Sequence, residues 1–309
     1  MGQTPAAITI GAVERDTGLS KDTLRVWERR YGFPQPHRDE YGERAYPIEQ
    51  VDKLRALRRL IDSGHRPSKI VGMTLEQLRF LARDATKESH AGTTQSPPPP
   101  ELSRYLDLIK ANRIADVRAE LLQSLLRTGL ERFVIELAAP LTQLVGDAWA
   151  SGRFEIFEEH IYTEAMQTTL RSAISSISHS GRGPTALLTS FPSESHGLGL
   201  LMAEAMLALE DCRCVSLGTQ TPIWDIVLAC AAQKADIVAL SFSSSIAAGM
   251  VSDGLDELRA KLPAATEIWA GGSAAVLRRK PPGGVVVIAD LAQIRLRIQA
   301  WRLIRSRHN

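Results

Sequence analysis

The sequence predicts a multidomain protein: an N-terminal winged helix-turn-helix, a central four-helix bundle and a Rossmann-like, doubly wound α/β domain built on a parallel sheet. Three observations carry this reading. A helix-turn-helix pattern with a following hairpin fills residues 1–82, four helical periods separated by breakers fill 101–182, and five short β-compatible runs alternate with helical patterns over 183–309. Between the first two lies a polar stretch within 83–100 that ends in four prolines and reads as an extended linker.

The chain has 309 residues, room for two or three ordinary cores, and its 44% hydrophobic and 23% charged residues place it among globular rather than disordered proteins. No apolar run approaches the ~20 residues of a membrane span. The start, Met1 to Pro5, has no basic segment followed by an apolar one, so a cytoplasmic protein without a membrane partner is expected. Cys212, Cys214 and Cys230 are odd in number and have apolar neighbours, which suits reduced thiols, and Cys212 and Cys214 are too close for the usual zinc pattern.

In the head, Ile8-Thr9-Ile10 opens a helix expected over 11–17, and Gly18 stops it. Ser20 can cap a second helix from Lys21, with Asp22 favourable in its first turn. Leu24 and Trp27 lie three apart and face the core. Lys21, Thr23, Arg25, Arg29 and Arg30 are then candidate contacts to double-stranded DNA, and a hairpin turning at Gly42 adds Arg38, Arg44 and Tyr46. Pro47 takes the first position of a helix expected over 48–63, closed by Gly64. Over residues 1–83 Lys and Arg outnumber Asp and Glu by 15 to 11, whereas the whole chain carries only +2. The strings Leu24-Arg25-Val26-Trp27-Glu28-Arg29 and Arg44-Ala45-Tyr46 resemble the MerR family of regulators over residues 8–78. The resemblance implies a homodimer or homotetramer on a pseudo-palindromic operator.

Breaks near Asn112, Gly129 and Ser151-Gly152 divide residues 102–178 into four helices. Beyond them, Ala186 to Thr189, Val215 to Leu217, Ile237 to Leu240, Glu267 to Ala270 and Val285 to Ile288 read as strands of a parallel sheet, whose carboxyl ends are where such folds bind ligands. Glu194-Ser195-His196-Gly197-Leu198-Gly199 follows the first of these runs. A histidine there can offer imidazole to a metal, Glu194 can take the other ring hydrogen, and Gly199 lets a bulky planar ligand approach the backbone. No Gly-x-Gly-x-x-Gly or Gly-Lys-Ser/Thr string is present, which argues against a nucleotide.

Glu194-x-His196-x-x-Gly199, together with Ser241 and Gly271-Gly272 at two later strand ends, resembles the cobalamin-binding domains. The resemblance implies that His196 is the lower cobalt ligand and that Ser241, Gly271 and Gly272 lie along the cofactor's tail. The family's Ser-x-Leu or Ser-x-Thr string departs at its third position, Ser243. Trp149, with Glu159-His160 ten residues later, is similar to the helical cap of the MerR-type cobalamin photoreceptors that repress carotenoid genes. That likeness implies a non-enzymatic repressor gated by adenosylcobalamin, with the three residues around the adenosyl face. Light-responsive members carry a histidine directly after the tryptophan; here Ala150 stands there, and His160 is the nearby substitute. Two other readings are a MerR-type regulator that has lost its cofactor and acts through protein contacts, and the cobalamin module of a mutase or methyltransferase. The chain lacks length for the ~250-residue barrel that the second would need.

Overall fold

The computed structural model describes residues 7–62, 64–89, 99–181, 183–279 and 282–306. They form two compact units, Met1–Ser96 with Asp147–Glu155, and Pro97–Gly146 with Ile156–Asn309. The bundle and the α/β domain, expected as separate bodies, thus fall largely in one unit, and a short stretch of the bundle groups with the head.

The head unit runs β1 (Ala7–Thr9), α1 (Ile10–Thr17), α2 (Lys21–Tyr31), β2 (His37–Arg38), β3 (Arg44–Pro47), α3 (Ile48–Asp62), α4 (Pro67–Ile70) and α5 (Leu75–Ser89). Side-chain caps set the helix-turn-helix. Thr9 accepts from the Ala12 N–H at 3.4 Å, Gly18 closes α1 at φ +67°, and Ser20 accepts from the Thr23 N–H at 3.1 Å. Leu24 and Trp27 of α2 enter a core with Val13, Tyr46, Val51, Leu54 and Leu57.

Three expectations change here. Ala7–Thr9 is a strand, pairing antiparallel to β3 with Ile8 opposite Tyr46, so the helix begins at Ile10. Pro47 ends β3, opposite Ala7 of β1, and α3 begins after it. Helix α5 runs to Ser89, into the expected linker, and residues 90–98 of that linker lie outside the described residues. Within the same unit, Arg59 of α3 reaches Glu155 at 2.7 Å, and a Cβ on Gly152 would sit 3.0 Å from the Arg59 guanidinium.

Beyond the head, α6 (Pro100–Lys110) and α7 (Ile114–Thr128) precede α8 (Leu130–Arg132), which runs through a π-helical stretch (Phe133–Ala138) into α9 (Ala139–Ala150), whose last turn groups with the head unit; α10 (Ile156–Ser175) completes the four-helix pattern. Then follow β4 (Thr185–Thr189), α11 (Leu198–Leu209), β5 (Arg213–Gly218), α12 (Ile223–Gln233), β6 (Ile237–Phe242), α13 (Ala248–Lys261), β7 (Glu267–Gly272), α14 (Ala275–Arg279), β8 (Val285–Ile288) and α15 (Gln293–Ser306). The five strands pair in parallel in the order β5-β4-β6-β7-β8. Each coincides with a run read from the sequence. Central strand β6 buries Ile237, Val238, Ala239, Leu240 and Phe242, as a strand covered on both faces must. Phe242 packs tilted against Phe191 with ring centroids 5.1 Å apart, and Gly254 of α13 leaves room for the Phe191 ring. Helix α10 packs along α11, which seats the bundle on the α/β layer. Among the described residues, no helix is long and apolar enough to cross a membrane.

Tyr46 is fully buried, and among the described residues its hydroxyl has no hydrogen-bond partner. An unpaired buried hydroxyl costs about 1–3 kcal/mol. Tyr46→Phe is therefore expected to hold or raise the thermal unfolding midpoint of the full chain, and a clear fall in Tm would show that the hydroxyl contributes a bond.

Candidate functional site

The strand order reverses direction at β4: β5 lies on one side of it and β6 on the other. The loops leaving β4 and β6 diverge there, opening the crevice in which doubly wound sheets hold ligands. Glu194 and His196 belong to the β4 loop, immediately before α11. The Glu194 carboxylate is almost wholly buried, and its Oε1 accepts from the His196 backbone N–H at 3.0 Å and faces the ring Nδ1 at 2.8 Å. Its Oε2 accepts from the Ser243 N–H, on the β6 loop, at 2.6 Å. Burial alone would push this carboxyl up. Hydrogen bonds from the His196 ring, the Ser243 N–H and the His196 N–H outweigh burial and hold it below the usual carboxylate range. A ring held through Nδ1 turns Nε2 toward any metal, and the His196 side chain is 56% exposed.

The other residues singled out in this domain gather along the same edge. A Cβ on Gly199 would lie 2.8 Å from the Ser241 hydroxyl, so glycine brings the start of α11 against the end of β6. Ser241 pairs across the ladder with Gly271, and Phe242 with Gly272. Gly272 adopts φ +106°, and a Cβ there would sit 2.2 Å from the Phe242 carbonyl oxygen, so no other residue fits. Both Ser241 and Gly271-Gly272 were expected beyond the strands; they form the last rungs of β6 and β7.

On the cap, Glu159 closes the first turn of α10 and His160 follows it. Their polar contacts are local: Glu159 accepts from the Thr163 hydroxyl at 2.6 Å and lies 3.6 Å from the His160 Nε2. Trp149 and Ala150 end α9, with Trp149 half-buried in the stretch that groups with the head.

The expected DNA face divides into two classes. Arg29 and Arg30 are exposed on α2, Arg25 pairs with Asp22 at 3.0 Å, and Lys21 reaches Glu14 at 3.7 Å. Thr23 shares a 2.8 Å hydrogen bond with the capping Ser20, and on the wing Arg38 donates to the Gly42 carbonyl at 2.7 Å. Two wing residues depart from expectation. Arg44 binds both oxygens of Glu28, at 2.8 and 3.4 Å, so it fastens the wing to α2 instead of reaching outward. Tyr46, expected to touch DNA, lies in the core because the third position of this short strand faces inward.

Two family models match the chain: "MerR HTH family regulatory protein" over residues 8–77 and "B12 binding domain" over 103–173. Over 265 residues the chain is 33% identical to the HTH-type transcriptional repressor CarH of Myxococcus xanthus, covering 84% of this chain and 86% of that one. The chain belongs to the CarH family of HTH-type transcriptional repressors. CarA, another HTH-type transcriptional repressor of the same organism, is 30% identical over 239 residues, 76% of each chain. Among solved structures, the monomethylamine corrinoid protein of Methanosarcina barkeri superposes with a TM-score of 0.52 at 18% identity, covering 64% of this chain and 96% of that one. That likeness is one of fold.

Sequence reasoning passed over two partners in this CarH-family chain. Ser243 entered only as a departure from a motif, yet its N–H anchors Glu194 from 49 residues away. Glu28, read as part of a string, holds the wing across 16 residues. The folded Glu194 carboxyl titrates below its unfolded value, so its contribution is complete above the ordinary carboxylate pKa and is lost as the pH falls through the lowered one. At neutral pH the Ser243 amide should resist hydrogen exchange. Glu194→Ala, which leaves that donor unpaired at a cost of about 1–3 kcal/mol, should expose it; unchanged exchange at Ser243 would show that the carboxylate does not tie the loops.

Proposed function

We propose that this chain is a DNA-binding transcriptional repressor whose grip on a pseudo-palindromic operator is set by adenosylcobalamin, acting in the cytoplasm as a dimer or tetramer. The observation that carries the cofactor reading is the Glu194–His196 pair at the switch point, with the imidazole held through Nδ1 at 2.8 Å. The residues present suit a corrinoid: a fixed imidazole, a close approach at Gly199 and a strand end at Gly272 that admits no side chain. When bound, cobalamin supplies a cobalt ion whose upper ligand can be exchanged or lost.

His196 would take the lower position through Nε2, with Glu194 fixing its tautomer and direction. Ser241, Gly271 and Gly272, at the ends of β6 and β7, would receive the tail. On the cap, Trp149 would cover the upper face with a flat apolar ring, while Glu159 and His160 offer a polar pair to a ribose. The match of residues 103–173 to a B12 binding domain supports this division of labour. In the head, Arg29 and Arg30 would neutralise phosphates, so affinity falls as salt rises. A cofactor can change operator affinity only by favouring one state of the protein, and each tenfold change corresponds to about 1.4 kcal/mol.

The test is an absorption spectrum of the full chain after incubation with adenosylcobalamin in darkness and exhaustive dialysis, with size exclusion in parallel. Retained corrin bands are expected, altered in His196→Ala because the lower ligand is gone. Complete loss of corrinoid on dialysis would overturn the cofactor reading and leave the repressor reading standing.

A further inference from the structure

The face of α2 opposite its buried Leu24 and Trp27 is formed by Asp22, Arg25, Val26 and Arg29, spaced as one side of a helix. In helix-turn-helix proteins the second helix enters the major groove and its N-terminal residues meet base edges. Most of this face is charged, but Val26 is 42% exposed, an apolar side chain among cations. Single exposed apolar residues are ordinary on protein surfaces. This one lies on the surface that the fold turns toward DNA, between Arg25 and the exposed Arg29 and Arg30. The cations suit flanking phosphates, and the partner of the valine is then the floor of the groove. There the apolar group on offer is the 5-methyl of thymine.

The neighbouring pair sharpens the assignment. Asp22 holds the Arg25 Nη1 at 3.0 Å, and both side chains are open to solvent. A guanidinium carries five N–H donors, so one carboxylate contact steers it and still leaves donors for the two acceptors of a guanine edge. We propose that Val26 is a specificity-determining residue that reads a thymine methyl beside the base pair met by Arg25, a guanine. The operator half-site then contains adjacent thymine and guanine on the strand that α2 faces. Arg29 and Arg30 add affinity without sequence preference.

The experiment selects duplexes from a random-sequence library with the full-length protein, then replaces each thymine of the enriched half-site in turn by deoxyuridine, which removes only the methyl. One replacement, next to a guanine, should weaken wild-type binding about fourfold, the value of one buried methyl group. In Val26→Ser that replacement should have no further effect, while the other thymines behave as in wild type. Val26 lies outside the core, and circular dichroism checks that the variant is folded; if it is not, the wild-type series alone decides. If every deoxyuridine replacement is silent in wild type, or the sensitive one stays sensitive in Val26→Ser, the assignment to Val26 fails. A selection yielding no enriched sequence overturns base reading by the whole helix.

Discussion

A charged carboxylate taken out of water costs several kcal/mol unless hydrogen bonds replace its hydration. Glu194 meets that cost with N–H groups from two loops, the backbone and ring of His196 on one side and the backbone of Ser243 on the other. Charge-assisted bonds of this kind are about twice as strong as neutral ones. The loops they join leave β4 and β6 on opposite sides of the point where the sheet changes direction. That tie adds to the packing of Phe191 on Phe242 and of Gly199 on Ser241 in setting how far the loops part, and it fixes the imidazole through Nδ1. The direction of the His196 imidazole is thus set by a buried carboxylate from its own loop.

A similar economy governs the arginines of the head. Arg44 is engaged by Glu28, Arg55 by Asp16 and Asp52, and Arg59 by Glu155, each at 2.7–2.9 Å. These pairs fix the wing on α2, α3 on α1, and the Asp147–Glu155 stretch on α3. The pairs with Glu28, Asp16 and Glu155 are each at least partly shielded from water and join two segments, so they set the register between them. Arg29 and Arg30, by contrast, stand exposed on α2.

How far the sequence disclosed this arrangement follows from the range of each interaction. The five parallel strands were readable because buried strands such as Ile237 to Leu240 are uninterrupted apolar runs between helical patterns. Ser241 and Gly271-Gly272 were placed near their strands because each follows an apolar run directly. Strand β1 was not, since three residues, Ala-Ile-Thr, carry no alternation and are strand only because β3 pairs with them. Nor could the sequence place Tyr46, because two residues on a short wing can face either way until a core claims one. Contacts spanning 16 and 49 residues, Arg44 with Glu28 and Glu194 with Ser243, leave no local signature at all.

The π-helical turns at Phe133–Ala138 give the cap a property its neighbours lack. A π-bulge stores one surplus residue inside an otherwise regular helix while the turns on either side keep their places. Loss of one residue there would tighten the stretch to an α-helix and leave Leu141, Val145 and Ala148 on the core side. The same loss within Ala139–Ala150 would swing every later side chain by roughly 100°, the Trp149 indole included. Length variation in this segment is therefore harmless at one end and ruinous at the other, a few residues apart.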